Sequence, residues 1–176
     1  NQFLYKAIEI SKQALTLPDA QDKPGPQSII NRTNRLLLHS FLADCHIEQV
    51  LEPCEVRTEA ETKQWLAQAE QAVHEIEQLI GSGEDPQVIR WQGMLELAKG
   101  NRPLAVKKLY AAYEQLTAAG GRNVMLSYTL AKLFENTAEL GAANEFFTSA
   151  LDRPGGIDER KPETLLDYAD VLLKLR

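Results

Sequence analysis

Three small residues share one register along this chain. Gly93, Ala131 and Ala169 are each 38 residues apart (131−93, 169−131). The same offset carries Ala105, Leu109 and Ala112 onto Ala143, Phe147 and Ala150 (143−105, 147−109, 150−112). Within each set the spacing is i, i+4, i+7, which is one face of an α-helix. A helical pattern written again at a fixed distance of this size predicts helix pairs stacked on one another, each pair burying its apolar face against its neighbours. A glycine or alanine kept in one register marks a close helix crossing. The expected fold is all-α, with about eight helices in one domain over residues 1–176. The repeats read most clearly over 86–120, 121–156 and 162–176.

Composition agrees with helix and narrows the partners. The 176 residues are 44% hydrophobic and 25% charged, ordinary for a packed chain and unlike a disordered one. The longest apolar runs, such as Leu36–Leu38, are far too short for a bilayer span, so no membrane insertion is expected. The net charge is −6 and the basic residues are dispersed. Nucleic acid needs a clustered cationic footprint, so that partner class is disfavoured, whereas basic or apolar peptides are tolerated. Two cysteines, Cys45 and Cys54, make no disulfide framework, which favours a reducing compartment such as the cytoplasm.

Read in order, the chain begins with a helical pattern over Phe3–Leu17, stopped by Pro18. It copies a later helix: Ala7, Ala14, Leu15 and Pro18 match Ala143, Ala150, Leu151 and Pro154, each offset by 136, and Ser11 stands in the place of Phe147. The chain thus opens on the second helix of a pair, and reads as a segment of a longer protein. Pro18, Pro24, Gly25 and Pro26 mark a loop. Ser28 is placed to cap a long helix to about Leu51, which Pro53 ends. Thr58 with Glu61 has the spacing of a capping box. The helix that follows carries Ala69, Val73, Ile76 and Ile80, which match Ala105, Leu109, Ala112 and Leu116 at an offset of 36. Gly81-Ser82-Gly83 supplies a C-cap, and Asp85-Pro86 opens the next helix, which runs to Lys99. Gly100-Asn101 breaks it. A helix from Arg102-Pro103 runs to Gly120-Gly121, another spans Arg122–Leu140, Gly141 makes a turn, and Ala142–Asp152 follows. Pro154-Gly155-Gly156 is a loop, and Pro162-Glu163 opens the last helix.

These residues resemble the tetratricopeptide repeat family, whose unit is two helices with an A-x3-F in the second and a proline after it. Ala143-x3-Phe147 with Pro154 carries that half, and Leu130-Ala131-x2-Phe134 is similar to the L-G-x2-Y of the first helix. Gly93, Gly100, Ala105 and Ala112 match one repeat earlier, with Gln92 and Glu96 in place of Leu and Tyr; Tyr168-Ala169-x2-Leu172 resembles a further first helix. The resemblance implies a right-handed α-solenoid of antiparallel helix pairs that binds a peptide or partner helix in a concave groove. The alternative is an architectural spacer in a longer solenoid. RNA binding, seen in related helical repeats, lacks the basic face it needs. The period of 38 departs from the family's 34.

If first helices line the groove, the face about 100° from the small residues looks inward. It carries Arg90, Met94 and Leu97 in one repeat, Tyr128, Lys132 and Glu135 in the next, and Leu166, Asp170 and Leu173 after that. The first six are the expected peptide-contacting residues, with Tyr128 and Arg90 flanking the ligand and Lys132 setting charge preference. Met94, Lys132 and Asp170 depart from the lysine and asparagine clamp that the family uses for acidic C-termini.

No catalytic, cofactor or metal site is expected. His39, Cys45, His46 and Cys54 lack paired zinc-ligand spacing, and His39 and His46 are ~10 Å apart along a helix. They read as buried cysteine and surface histidine. Gly81-Ser82-Gly83 and Gly120-Gly121-Arg122 lack phosphate-loop spacing. Glu70, Glu75 and Glu77 read as a solvated face. Ser40, His39 and Asp44 lie on one helix with no second element to build a triad. Trp65 and Trp91 read as core. With unpaired helices at the start and end of the pattern, and Leu165, Leu166, Leu172 and Leu173 on more than one side of the last, self-association through an end helix is expected.

Overall fold

The computed structural model describes residues 2–17, 27–51, 57–121, 123–151 and 162–175. Among these residues there are eight α-helices and no strands: α1 (Gln2–Thr16), α2 (Gln27–Leu51), α3 (Glu59–Ile80), α4 (Pro86–Ala98), α5 (Arg102–Ala118), α6 (Val124–Asn136), α7 (Leu140–Leu151) and α8 (Pro162–Lys174). The expected loops around Pro24, Pro53 and Gly155 lie outside the described residues. Ser28 falls inside α2, one residue past its start.

The helix ends follow local chemistry. Thr58 and Glu61 close a reciprocal capping box at the start of α3. The Asp85 carboxylate accepts from the Gln87 amide ahead of Pro86, and the Asn123 side chain accepts from the Leu126 amide. These two N-caps are again 38 apart. Gly100 and Gly120 take the left-handed conformation and terminate α4 and α5. At both ends two amides turn back on the helix: Gly100 and Asn101 donate to Leu97 and Glu96, and Gly120 and Gly121 to Thr117 and Leu116.

The boundary between α6 and α7 differs from expectation. The sequence places the turn at Gly141, whereas α6 ends at Asn136 and Gly141 lies in the first turn of α7. The left-handed residue is Ala138, with φ of 61°. Ala138 and Glu139 donate to Glu135 and Phe134, the same pair of bonds made by Gly100 and Asn101 one period earlier. The repeat therefore fixes the turn, and an alanine adopts a conformation that glycine fills elsewhere.

The chain divides into two compact units, residues 1–105 and 106–176, with the boundary inside α5. In the first, α2 and α3 pack along their length, and α1 and α4 complete the layer. Its core includes Ile8, Leu42, Ile47, Val73, Ile76 and Trp91. The Trp91 indole N–H reaches the Asp44 carboxylate at 2.8 Å, so the ring is buried without an orphaned donor. Trp65 is half-buried among Tyr5, His46 and the Arg57 guanidinium. His46 is 2% exposed, not at the surface as its sequence context implied, because α2 turns that side chain onto Trp65.

In the second unit, α6 and α7 fold back on each other across Thr137–Glu139, and α8 lies against α7. Leu130, Ala131, Ala143 and Phe147 are fully buried. Tyr128 and Tyr168 flank the Phe147 ring at 6.0 and 5.7 Å. The common register of small residues divides here. Gly93 and Ala131 are buried as expected, whereas Ala169 on α8 is exposed, beside Leu166 and Leu173.

Three substitutions test this packing by thermal or denaturant unfolding. Ala131→Leu overpacks a fully buried site and is expected to cost about 1–3 kcal/mol, whereas Lys107→Leu on an exposed position leaves stability within about 0.5 kcal/mol. Equal melting of the two would sink the crossing. Ala138→Gly removes the strain of a left-handed alanine and is expected to raise stability by about 0.5–1 kcal/mol, with no change in helicity; a loss of stability would mean the turn is not strained.

Candidate functional site

The residues expected to line a groove all lie on helices, and they are already engaged. On α4, the Arg90 side chain is only 15% exposed. Its guanidinium lies 3.7 Å from the Asp44 carboxylate and 4.3 Å from the Trp91 ring centroid. Burial lowers its pKa and Asp44 opposes the shift. Met94 packs on the core of the first unit, and Leu97 is half-buried.

On α6, the Tyr128 hydroxyl donates to Asp167 of α8 at 2.7 Å. The Lys132 ammonium bonds Glu135 at 2.7 Å and Asp167 at 3.2 Å. Burial acts to lower the Lys132 pKa, and these carboxylates outweigh it, so the net shift is upward. Glu135, 9% exposed, also takes the Lys174 ammonium at 3.1 Å, and Lys174 pairs with Asp170 in turn. The alternating charges of α6 and α8 thus form one network. Its side chains are mutually satisfied, which such a partly buried network needs to be stable.

A second feature of the 106–176 unit was not read from the sequence. Tyr110 and Tyr113 of α5, Phe134 of α6 and Ala142, Glu145 and Phe146 of α7 line a cleft of ≈ 210 Å³. Phe146 is its floor: Phe134 stacks on it at 5.5 Å, and Tyr113 and Tyr110 meet it edge-on at 5.0 and 6.1 Å. Tyr113 is held in place by a hydroxyl contact to Ser149 at 3.1 Å. Tyr110 is 41% exposed and Glu145 is exposed, so the rim is open to solvent. The signal lay in Tyr110 and Tyr113, three apart on one helix face, but their partners Phe134 and Phe146 come from two other helices.

The remaining candidates resolve into local structure. Ser40 donates to the Leu36 carbonyl at 2.7 Å, and Asp44 is taken by Trp91 and Arg90. Burial, with Glu48 and Asp44 nearby, pushes the Cys45 thiol up to about 11, away from the reactive thiolate. Cys54 lies outside the described residues. Among the described residues, no group of three or more histidine, cysteine or carboxylate side chains is placed to hold a metal ion. Glu70 pairs with Lys99 at 2.8 Å. No helix among the described residues is long and apolar enough to cross a membrane.

Comparison with family models, with curated proteins and with solved structures gives no match for this chain.

His46 gives the structure a pH dependence. Burial, and to a lesser extent the Lys12 charge, lowers its pKa from 6.5 to about 4. Its Nδ1 has no hydrogen-bond partner. Between these values the unfolded chain binds a proton that the folded chain does not, so stability is full above pH 6.5 and falls as pH drops toward 4. The loss attributable to His46 is at most about 3 kcal/mol. His46→Leu is expected to flatten the unfolding free energy across this window relative to the parent. Parallel pH profiles would show that His46 is protonated without cost.

Proposed function

We propose that this chain is a protein-interaction module, built as a right-handed α-solenoid of tetratricopeptide-like helix pairs, that receives a basic peptide segment. The observation that carries the reading is the aromatic cleft of the 106–176 unit. Three kinds of feature there suit a lysine or arginine side chain. Tyr110, Tyr113 and Phe134 present ring faces and edges, Glu145 stands at the rim, and the chain carries a net charge of −6. A cation over an aromatic face gains about 0.5–2 kcal/mol, more as water is excluded. The helix-pair reading is supported by the period that repeats N-cap, crossing and C-cap together: Asp85 and Asn123, Gly93 and Ala131, Gly100 and Ala138.

A second reading, the architectural spacer, is favoured by one observation. Tyr128, Lys132 and Glu135, the α6 part of the expected groove, are bonded to α8, so a ligand there must displace bonds already made. An RNA ligand would need a clustered cationic face, whereas Arg90 and Lys132 of the expected groove are paired with Asp44 and with Glu135 and Asp167.

An array of lysine- and arginine-bearing helical and extended peptides, read by fluorescence anisotropy, tests the proposal. Tyr110→Ala and Glu145→Lys, both at exposed positions, are expected to weaken the tightest binder at least about tenfold, or about 1.4 kcal/mol, while Tyr128→Ala changes affinity less. Loss on Tyr128→Ala alone would move the contact to the α6 strip. No binding by the folded parent would leave the spacer reading.

A further inference from the structure

The rings of the aromatic cleft stand in two orientations. Phe134 and Phe146 are parallel to within 3° at a centroid distance of 5.5 Å, which leaves no room for a third planar group between them. Tyr113 and Tyr110 cross the Phe146 ring at 75° and 81°. The open space of ≈ 210 Å³ is therefore a corner of crossed walls, not a slot between parallel ones. A planar guanidinium gains most by lying flat along a ring face. A rounded, tetrahedral group touches two crossed walls at once.

The polar groups of the cleft are few. None of the residues that line it is a cation, and Glu145 alone among them carries a charge. Among the described residues no lysine or arginine is paired with Glu145, in contrast to Glu135 and Asp167. The Tyr113 hydroxyl is engaged with Ser149, and Phe134, Ala142 and Phe146 have no side-chain acceptor. An unmethylated lysine head brings three N–H donors and a tight hydration shell. Here it would meet one carboxylate and rings. Each N-methyl group removes a donor and adds apolar surface for the rings to cover, while the charge that draws the cation to rings and carboxylate stays.

Building on the basic-peptide reading of this cleft, we propose that its ligand is a lysine side chain carrying two or three N-methyl groups. The methylated head sits in the corner between Tyr110, Tyr113 and Phe146, and Glu145 balances its charge from the rim. A dimethylated head keeps one N–H, which the Glu145 carboxylate is able to accept. The uncharged alkyl stem leaves past Tyr110, the most exposed of the ring walls named in the core and surface accounting at 41%. A choline headgroup has the same trimethylated cation, but it carries a phosphate close behind, which Glu145 repels; the stem of lysine carries none.

Nuclear magnetic resonance titration of the whole chain tests this with one short glycine- and serine-flanked peptide in four forms. Its central residue is lysine, dimethyl-lysine, trimethyl-lysine, or the uncharged tert-butyl analogue of trimethyl-lysine. Both methylated peptides are expected to bind at least about tenfold more tightly than the lysine form, and the neutral analogue at least about tenfold more weakly than trimethyl-lysine. The N-methyl protons are expected to shift upfield in the ring currents of the cleft. Tyr110→Ala, confirmed folded by circular dichroism, is expected to abolish the preference for methylation, and Tyr110→Phe, which keeps the ring, to restore it. Lysine and methyl-lysine forms that bind equally overturn the proposal and leave the basic-peptide reading standing. A neutral analogue that binds as well as trimethyl-lysine overturns both, since the cleft would then be an apolar site. A preference that survives Tyr110→Ala overturns the placement in this cleft. Absence of binding by all four forms overturns the proposal, and the peptide array decides the basic-peptide reading separately.

Discussion

The close approach of α6 and α7 is the contact on which the 106–176 unit depends. Ala131 and Ala143 are both fully buried, and a side chain larger than methyl at either would hold the helices apart. That approach seats Phe147 with no exposure and lets Tyr128 and Tyr168 close over it. Burying a phenylalanine contributes about 1.5–3 kcal/mol, so the small residues act chiefly by allowing a large one to be covered. It also brings Phe134 onto Phe146, and with them the walls of the aromatic cleft. One geometric constraint thus sets both the core and the walls of the aromatic cleft.

Polar groups at the edges of the cores are arranged to be satisfied internally. In the first unit Asp44 receives both the Trp91 indole and the Arg90 guanidinium, an arrangement that buries a tryptophan and a cation with a single carboxylate. In the second, Tyr128, Lys132, Glu135, Asp167, Asp170 and Lys174 tie α6 to α8. Partly exposed ion pairs contribute little to stability one by one. As a connected set they orient α8, leaving Leu166 and Leu173 to face solvent at 70% and 65% exposure. His46, buried beside Trp65 with no hydrogen-bond partner for its Nδ1, is one exception, and its cost appears when acid offers it a proton.

The sequence alone determined the helices and most of their ends, because these depend on neighbours within one or two turns. Thr58 with Glu61, Asp85 before Pro86, and the glycines at 81, 100 and 120 needed no tertiary contact to be read. It also determined the period, since covering a helix face repeatedly demands small residues at a constant spacing. What it left to the tertiary structure were matters of distance between helices. Gly141 looked like the better turn residue, yet the register places Ala138 there and holds it in a left-handed conformation by the bonds of Ala138 and Glu139 to α6. The sequence could not tell that the apparent groove residues of α6 would meet Asp167, 39 positions away from Tyr128. Nor could it assemble Tyr110, Phe134 and Phe146 into one cleft, because three helices contribute to it. Identical residues in an identical register, Ala131 and Ala169, differ completely in exposure. Register states which face a helix would bury; only the presence of a neighbouring helix decides whether that face is buried.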